Sequence, residues 1–141
     1  MNEQLEKELV EKAIEMTRLS YAPYSKYHVG AALRTKDGRI FTGCNIENAS
    51  YGATNCAERT AFFKAVSEGV KDFEAIAIVG APADAAAQKT FSEYAYPCGV
   101  CRQVMQEFCK SDFCIIVAKS KEDYKKYTLK ELLPFGFGGI D

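Results

Sequence analysis

Apolar positions along this chain change their period several times, and each change marks a new element. Leu5, Leu9, Ile14 and Met16 recur at helical spacing and predict a helix over about residues 2–20. Pro23, within Tyr21-Ala22-Pro23-Tyr24-Ser25, breaks that helix and fixes a turn. Two strand-like runs follow, Tyr27–Thr35 and Arg39–Asn48, with the hairpin dipeptide Asp37-Gly38 between them. Asn55 is positioned to cap a helix over about residues 56–68, and Gly69 to end it. Ala75–Gly80 is apolar without interruption, as in a strand buried on both faces. An Ala-rich loop of about sixteen residues, holding Pro82, comes next. A second helix starts near Cys98 and runs through Val104, Met105 and Phe108. Cys114–Ala118 reads as another buried strand, followed by a short strand near Tyr127, a helical turn over Leu129–Leu133 and a Gly/Phe tail. Strands alternating with helices predict an α/β fold: a mixed sheet of about five strands, covered by helices on both faces.

Composition narrows the class. With 141 residues, the chain is long enough for one domain with its own core, expected to span residues 1–141. A 48% hydrophobic, 26% charged composition is that of a globular protein. The net charge of −1 generates no field that would collect nucleic acid, so no polynucleotide partner is expected. Residues Met1 to Leu19 have neither a basic start nor an apolar run, so no secretory signal is expected. No apolar stretch reaches membrane length. Six cysteines without an export signal point to reduced thiols in the cytoplasm, where close spacing favours metal over disulfide.

The chemistry is concentrated in two short motifs. One is Cys56-Ala57-Glu58; the other, about forty residues on, is Pro97-Cys98-Gly99-Val100-Cys101. A zinc deaminase needs three protein ligands, an open fourth position and a carboxylate that is not a ligand, and this pattern supplies them in all-cysteine form. Cys98 and Cys101, at i and i+3, share a helix face; Cys56 comes from the other helix. Both helix N-termini direct positive ends at the thiolates. One Zn²⁺ per subunit is the cofactor expected. Three thiolates and Zn²⁺ sum to −1, so something positive must offset them. Arg59, three residues after Cys56, is the candidate, donating to the thiolates. Glu58 is the candidate proton shuttle between water, ring nitrogen and leaving amine.

These motifs, and most of the chain from about Leu9 to Phe137, resemble the small homotetrameric cytidine deaminases of pyrimidine salvage. The similar blocks are Tyr21-Ala22-Pro23-Tyr24-Ser25, Val29-Gly30-Ala31-Ala32-Leu33, Gly43-Cys44-Asn45-Ile46-Glu47-Asn48, Asn55-Cys56-Ala57-Glu58-Arg59-Thr60, Pro97-Cys98-Gly99-Val100-Cys101-Arg102-Gln103 and Glu131-Leu132-Leu133-Pro134, in the family's order. The resemblance implies the cytidine deaminase-like fold, and hydrolysis of cytidine and deoxycytidine to uridine and deoxyuridine with release of ammonia. It implies that Asn45 and Glu47 bind ribose; on a continuous strand, i and i+2 would share a face. It also implies that the backbone around Ala57 reads the pyrimidine edge, that Tyr27 stands beside the base where Phe is often found, and that Tyr51 reaches a neighbouring subunit's site. Of Phe135 and Phe137, Phe137 is the preferred residue for stacking on a neighbour's substrate. A homotetramer with shared pockets follows from the same resemblance.

The remaining features have plainer readings. Cys44, Cys109 and Cys114 lack zinc-like partners and are expected to be buried free thiols. His28 is the single histidine and alternates with core residues on a strand, so a structural role is expected. Lys119–Lys126, interrupted by Glu122 and Asp123, reads as a solvated edge. Three other functions compete. One is a deaminase of another amino-pyrimidine or nucleoside analogue, the blasticidin type being a near relative, against which the Asn-Ile-Glu-Asn run argues. A non-catalytic structural zinc module would need a fourth ligand. A redox Cys-x-x-Cys leaves Cys56-Ala57-Glu58 unexplained.

Overall fold

Asn2 starts the first helix: its side chain accepts from the Leu5 N–H at 2.9 Å, satisfying one of the four N–H groups a helix start leaves free. Helix α1 (Glu3–Met16) then passes into a 3-10 turn at Thr17–Leu19, so the regular helix ends a turn earlier than its apolar spacing predicts. The computed structural model describes residues 1–138. Strands β1 (Tyr27–Thr35) and β2 (Ile40–Cys44) form the expected hairpin. Gly38, at φ 93°, supplies the left-handed residue of its turn. Helix α2 (Ala57–Ser67), β3 (Phe73–Pro82), α3 (Ala83–Ala87), α4 (Gly99–Phe108), β4 (Cys114–Ser120), β5 (Asp123–Thr128) and α5 (Leu129–Leu132) complete the order.

The five strands form one mixed sheet in the order β2-β1-β3-β4-β5. Only β3 and β4 run parallel; the other neighbours are antiparallel. The apolar runs of β3 and β4 are continuous because both faces are covered. Ile76, Ile78, Ile115 and Val117 pack on the side of α2 and α4, with Phe62 and Met105. Ala75, Ala77, Val79 and Ile116 pack on the side of α1, with Leu9 and Val10. β5 is an edge strand, and Lys125 and Lys126 lie exposed on it. Among the described residues, no helix is long and apolar enough to cross a membrane.

Four expectations need correction. β2 stops at Cys44 instead of continuing to Asn48; Ile46 makes isolated bridges to Tyr21 and Asn55. Asn55 does not cap α2. Its backbone is taken by Ile46, its side-chain Nδ2 donates to Thr60 Oγ1 at 3.1 Å, and Cys56 is the N-cap. Pro82 ends β3 and does not lie in the loop. That loop contains the short helix α3, Ala83-Asp84-Ala85-Ala86-Ala87, in which alanine is the strongest helix former and Asp84 suits the positive first turn.

The packing of α2 on β2 sets the position of everything at its start. A Cβ placed on Gly43 would lie 2.4 Å from the Ala57 carbonyl oxygen and 2.7 Å from the Ala61 nitrogen. Only a hydrogen fits there, and neither neighbour is a flexible side-chain end. Gly43→Ala is therefore expected to lower stability by about 1–3 kcal/mol, as overpacking does; denaturant unfolding measures it. Unchanged stability would mean that α2 can move freely on the sheet.

Candidate active site

Cys56 and Cys98 occupy equivalent places. Each is the N-cap of a helix, and neither side chain is hydrogen-bonded to that helix. Their sulfurs are thus free to face outward, beside N–H groups that carry the positive end of each helix dipole. Cys101 lies in the first turn of α4. The three Sγ atoms lie within 4.8 Å of one another, and Cys56 and Cys98 are 3.8 Å apart, far beyond disulfide length. Cys101 is buried, Cys56 half-buried and Cys98 exposed, so the cluster opens on the Cys98 side. Among the described residues no fourth Cys, His, Asp or Glu joins the group. Three thiolate donors without a fourth protein ligand suit zinc in an open site, where a structural site would be closed.

Charge inside the cluster is uneven. The hydrogen bond from Cys101, followed by the Arg59 guanidinium, holds the Cys56 thiol down at about 5. Arg59 Nη2 donates to Cys56 Sγ at 3.2 Å, while Arg59 Nε is buried and unpaired. The Cys56 partner and burial push Cys101 strongly upward. The proton is thus shared unequally between Cys56 and Cys101, and a metal bound by both must displace it from Cys101. Loss of a group that supports a ligand typically weakens metal binding about 10–100-fold. Arg59→Gln is expected to weaken zinc binding to that extent and to raise the pH at which activity appears. An unchanged affinity and pH–rate profile would reject the role.

Glu58 is only 4% exposed and sits in the first turn of α2, two residues after Cys56. Burial, with help from the Cys56 thiolate, pushes its carboxyl up to about 7 from an ordinary 4.5; the neighbouring Cys101 thiol and Arg59 oppose the rise. A carboxyl near 7 can both accept and donate a proton at neutral pH. The same shift has a thermodynamic signature in metal-free protein. The folded carboxyl keeps a proton that the unfolded chain gives up above 4.5, so its contribution is complete below 4.5 and is lost as pH rises through about 7. Relative to Glu58→Gln, metal-free wild type should lose about 3 kcal/mol across that interval. Urea unfolding of both proteins at several pH values measures the difference; a constant difference would refute it.

The structure places the other candidates in two groups. Glu47 faces a cleft of about 390 Å³, lined also by Tyr24, Ser25, Asn48, Tyr51 and Thr54. The N–H groups of Tyr24 and Ser25 each donate to Glu47 Oε1 at 3.0 Å, and the Ser25 hydroxyl donates to Oε2. These contacts hold the Glu47 carboxyl below its usual range, the Ser25 hydroxyl contributing most. Asn45 does not share that cleft. It is buried, accepting from the Val29 N–H at 2.9 Å and donating to the Tyr27 carbonyl at 2.8 Å. With β2 ended at Cys44, Asn45 and Glu47 no longer alternate on a strand: the first extends the sheet by its side chain, the second turns to the Tyr24–Ser25 turn. Ser25 had no local signal in the sequence, because its partner is 22 residues away.

Ala57 is fully buried at the start of α2, next to Cys56. The half-buried Tyr27 ring lies over Gly80 and beside Ala95; burial and then Glu93 raise its hydroxyl. Tyr51 and Phe137 are 81% and 78% exposed. The Phe137 carbonyl accepts from Gln103 Nε2 at 3.0 Å, which lays the tail along α4. Phe135 is fully exposed and has φ 58°. Cys44 is buried, whereas Cys109 and Cys114 are half-buried and line a larger cavity of about 600 Å³ at the N-terminal ends of β3 and β4. That cavity contains none of the candidate site residues. His28 is half-buried on β1.

The chain is similar to known proteins in sequence and fold. The family described as the cytidine and deoxycytidylate deaminase zinc-binding region matches residues 3–117. The cytidine deaminase of Halalkalibacterium halodurans is 48% identical over 133 residues, covering 94% of each chain. That of Sporosarcina psychrophila is 46% identical over 133 residues, covering 94% of this chain and 91% of its own. The crystal structure of cytidine deaminase from Burkholderia pseudomallei superposes with a TM-score of 0.81 at 43% identity, covering 92% of this chain and 97% of that one. By the family match and by relatives of this identity and coverage, the chain belongs to the zinc-binding cytidine and deoxycytidylate deaminases.

Proposed function

We propose that this protein hydrolyses cytidine and deoxycytidine to uridine and deoxyuridine, consuming one water and releasing one ammonia. The observation that carries the reading is the buried Glu58 carboxyl beside three clustered sulfurs that have no fourth protein ligand. Cys56, Cys98 and Cys101 would hold zinc, which when bound supplies Lewis acidity that activates water. Glu58 takes the proton from the attacking water and passes it to the ring nitrogen. It then takes the second proton from the hydroxyl now on the ring carbon and delivers it to the amino group, which leaves as ammonia while the ring carbon keeps the oxygen as a carbonyl. Arg59 offsets negative charge at Cys56 throughout.

The rest of the pocket is assigned by its chemistry. Glu47 binds a ribose hydroxyl with lone pairs that Tyr24 and Ser25 leave free, and Asn45 contributes its second N–H. The backbone at Ala57 reads the pyrimidine edge, and Tyr27 packs beside the base. Tyr51 and Phe137 complete the pocket of a neighbouring subunit in a homotetramer; their exposure in the single chain supports this. The chain acts as one deaminase domain in cytoplasmic pyrimidine salvage; of the expected span 1–141, residues 139–141 lie outside the described residues. Incubating zinc-loaded protein with cytidine and following the absorbance change tests the activity. No conversion of either nucleoside would overturn it. Solution sizing tests the assembly: the expected mass is four times 15.6 kDa, and a fully active monomer would refute the shared pocket.

A further inference from the structure

The three sulfurs are not equally supported. Cys56 receives a hydrogen bond from Arg59, and Cys101 is buried in the core. Cys98 is exposed, lies at a helix start and makes no capping bond. Its support comes from Arg102. Helical side chains lean back toward the N-terminus, and Arg102 accordingly reaches back past Cys98. Its Nε donates to the Pro97 carbonyl at 2.7 Å, and its backbone N–H donates to the Cys98 carbonyl at 2.9 Å. Those carbonyls belong to the two peptides that flank the Cys98 α-carbon. The other edge of the guanidinium is also engaged: Nη1 donates to the Leu132 carbonyl at 2.6 Å. Arg102 forms no ion pair with a carboxylate among the described residues, so none competes for these bonds.

We propose that Arg102 is a positioning residue for the metal, its guanidinium clamping the Pro97–Cys98 peptide to the Leu132 carbonyl and so fixing the most exposed ligand. This rests on the reading of Cys56, Cys98 and Cys101 as the zinc ligands. The side chain has to be arginine: a planar guanidinium holds two donors in fixed relation and spans two carbonyls, whereas lysine offers one flexible ammonium. Gln103, the next residue, fixes the Phe137 carbonyl, so α4 holds the tail at two points.

The test is the zinc affinity of folded wild type, Arg102→Gln and Arg102→Lys, measured by competition with a chromogenic chelator, with cobalt(II) absorption as a second readout. Arg102→Gln is expected to bind zinc about 10–100-fold more weakly and to lose part of its thiolate-to-cobalt absorption, with Arg102→Lys in between. A merely structural arginine would lower the unfolding midpoint of metal-free protein and leave the affinity of the folded form unchanged. Wild-type affinity and cobalt spectrum in Arg102→Gln therefore overturn the proposal. Should that variant fail to fold, wild-type affinity in Arg102→Lys overturns it, and weakened affinity upholds it. A wild type that takes up no zinc overturns the ligand assignment and this proposal together.

Discussion

Replacing Glu58 with glutamine is expected to lower kcat by at least about 10²–10⁴-fold while the protein stays folded and keeps its zinc. Glutamine has nearly the same shape, so the start of α2 and the three sulfurs should be undisturbed. It cannot exchange a proton. Glu58 is asked to move a proton more than once per turnover, so the loss can exceed what a single acid–base step supplies. The carboxyl is suited to this because burial has brought it to about 7, where both protonation states are populated at neutral pH. The check is zinc content and steady-state kinetics on the same preparation. Near-normal turnover in a zinc-replete Glu58→Gln protein would refute the assignment, and loss of zinc would show that Glu58 acts on the site's structure instead.

Stripping the metal is expected to have the second large effect. Activity should fall to background and return on adding zinc, and unfolding stability should fall with it. A ligand bound only by the folded form stabilises it by about 4 kcal/mol at a free concentration about 1,000 times Kd. The three sulfurs meet only in the folded chain, since Cys56 and Cys98 come from separate helices. Calorimetry of chelator-treated and zinc-loaded protein measures the shift, with Cys101→Ser as a companion that cannot be reloaded fully. Full activity after verified metal removal would refute a zinc-dependent reaction.

Much of this was legible in the sequence because two independent signals agreed. The runs at Ala75–Gly80 and Cys114–Ala118 were continuous because β3 and β4 are covered on both faces, and Asp37-Gly38 marked a hairpin that forms. The Cys-x-Glu and Pro-Cys-x-x-Cys motifs each begin a helix, as their spacing required. What stayed hidden depends on tertiary partners. Asn45 looked like a strand residue, but β2 stops short of it, and its side chain bonds the Val29 N–H and the Tyr27 carbonyl. Asn55 looked like a cap, but Ile46 claims its backbone, and the cap position shifts to Cys56. Ser25 and Arg102 act on groups 22 and 30 residues away, and no local spacing encodes such bonds.

Cys56 and Cys98 stand 42 residues apart, and β3 lies between them in the chain. β3 is the strand that joins the antiparallel half of the sheet to the parallel pair. In the folded chain the two cysteine-bearing helix starts are held together across β3, which is paired on both sides. Capture of one ion by all three sulfurs is therefore coupled to the integrity of the sheet, and whatever loosens β3 lowers the affinity for the ion.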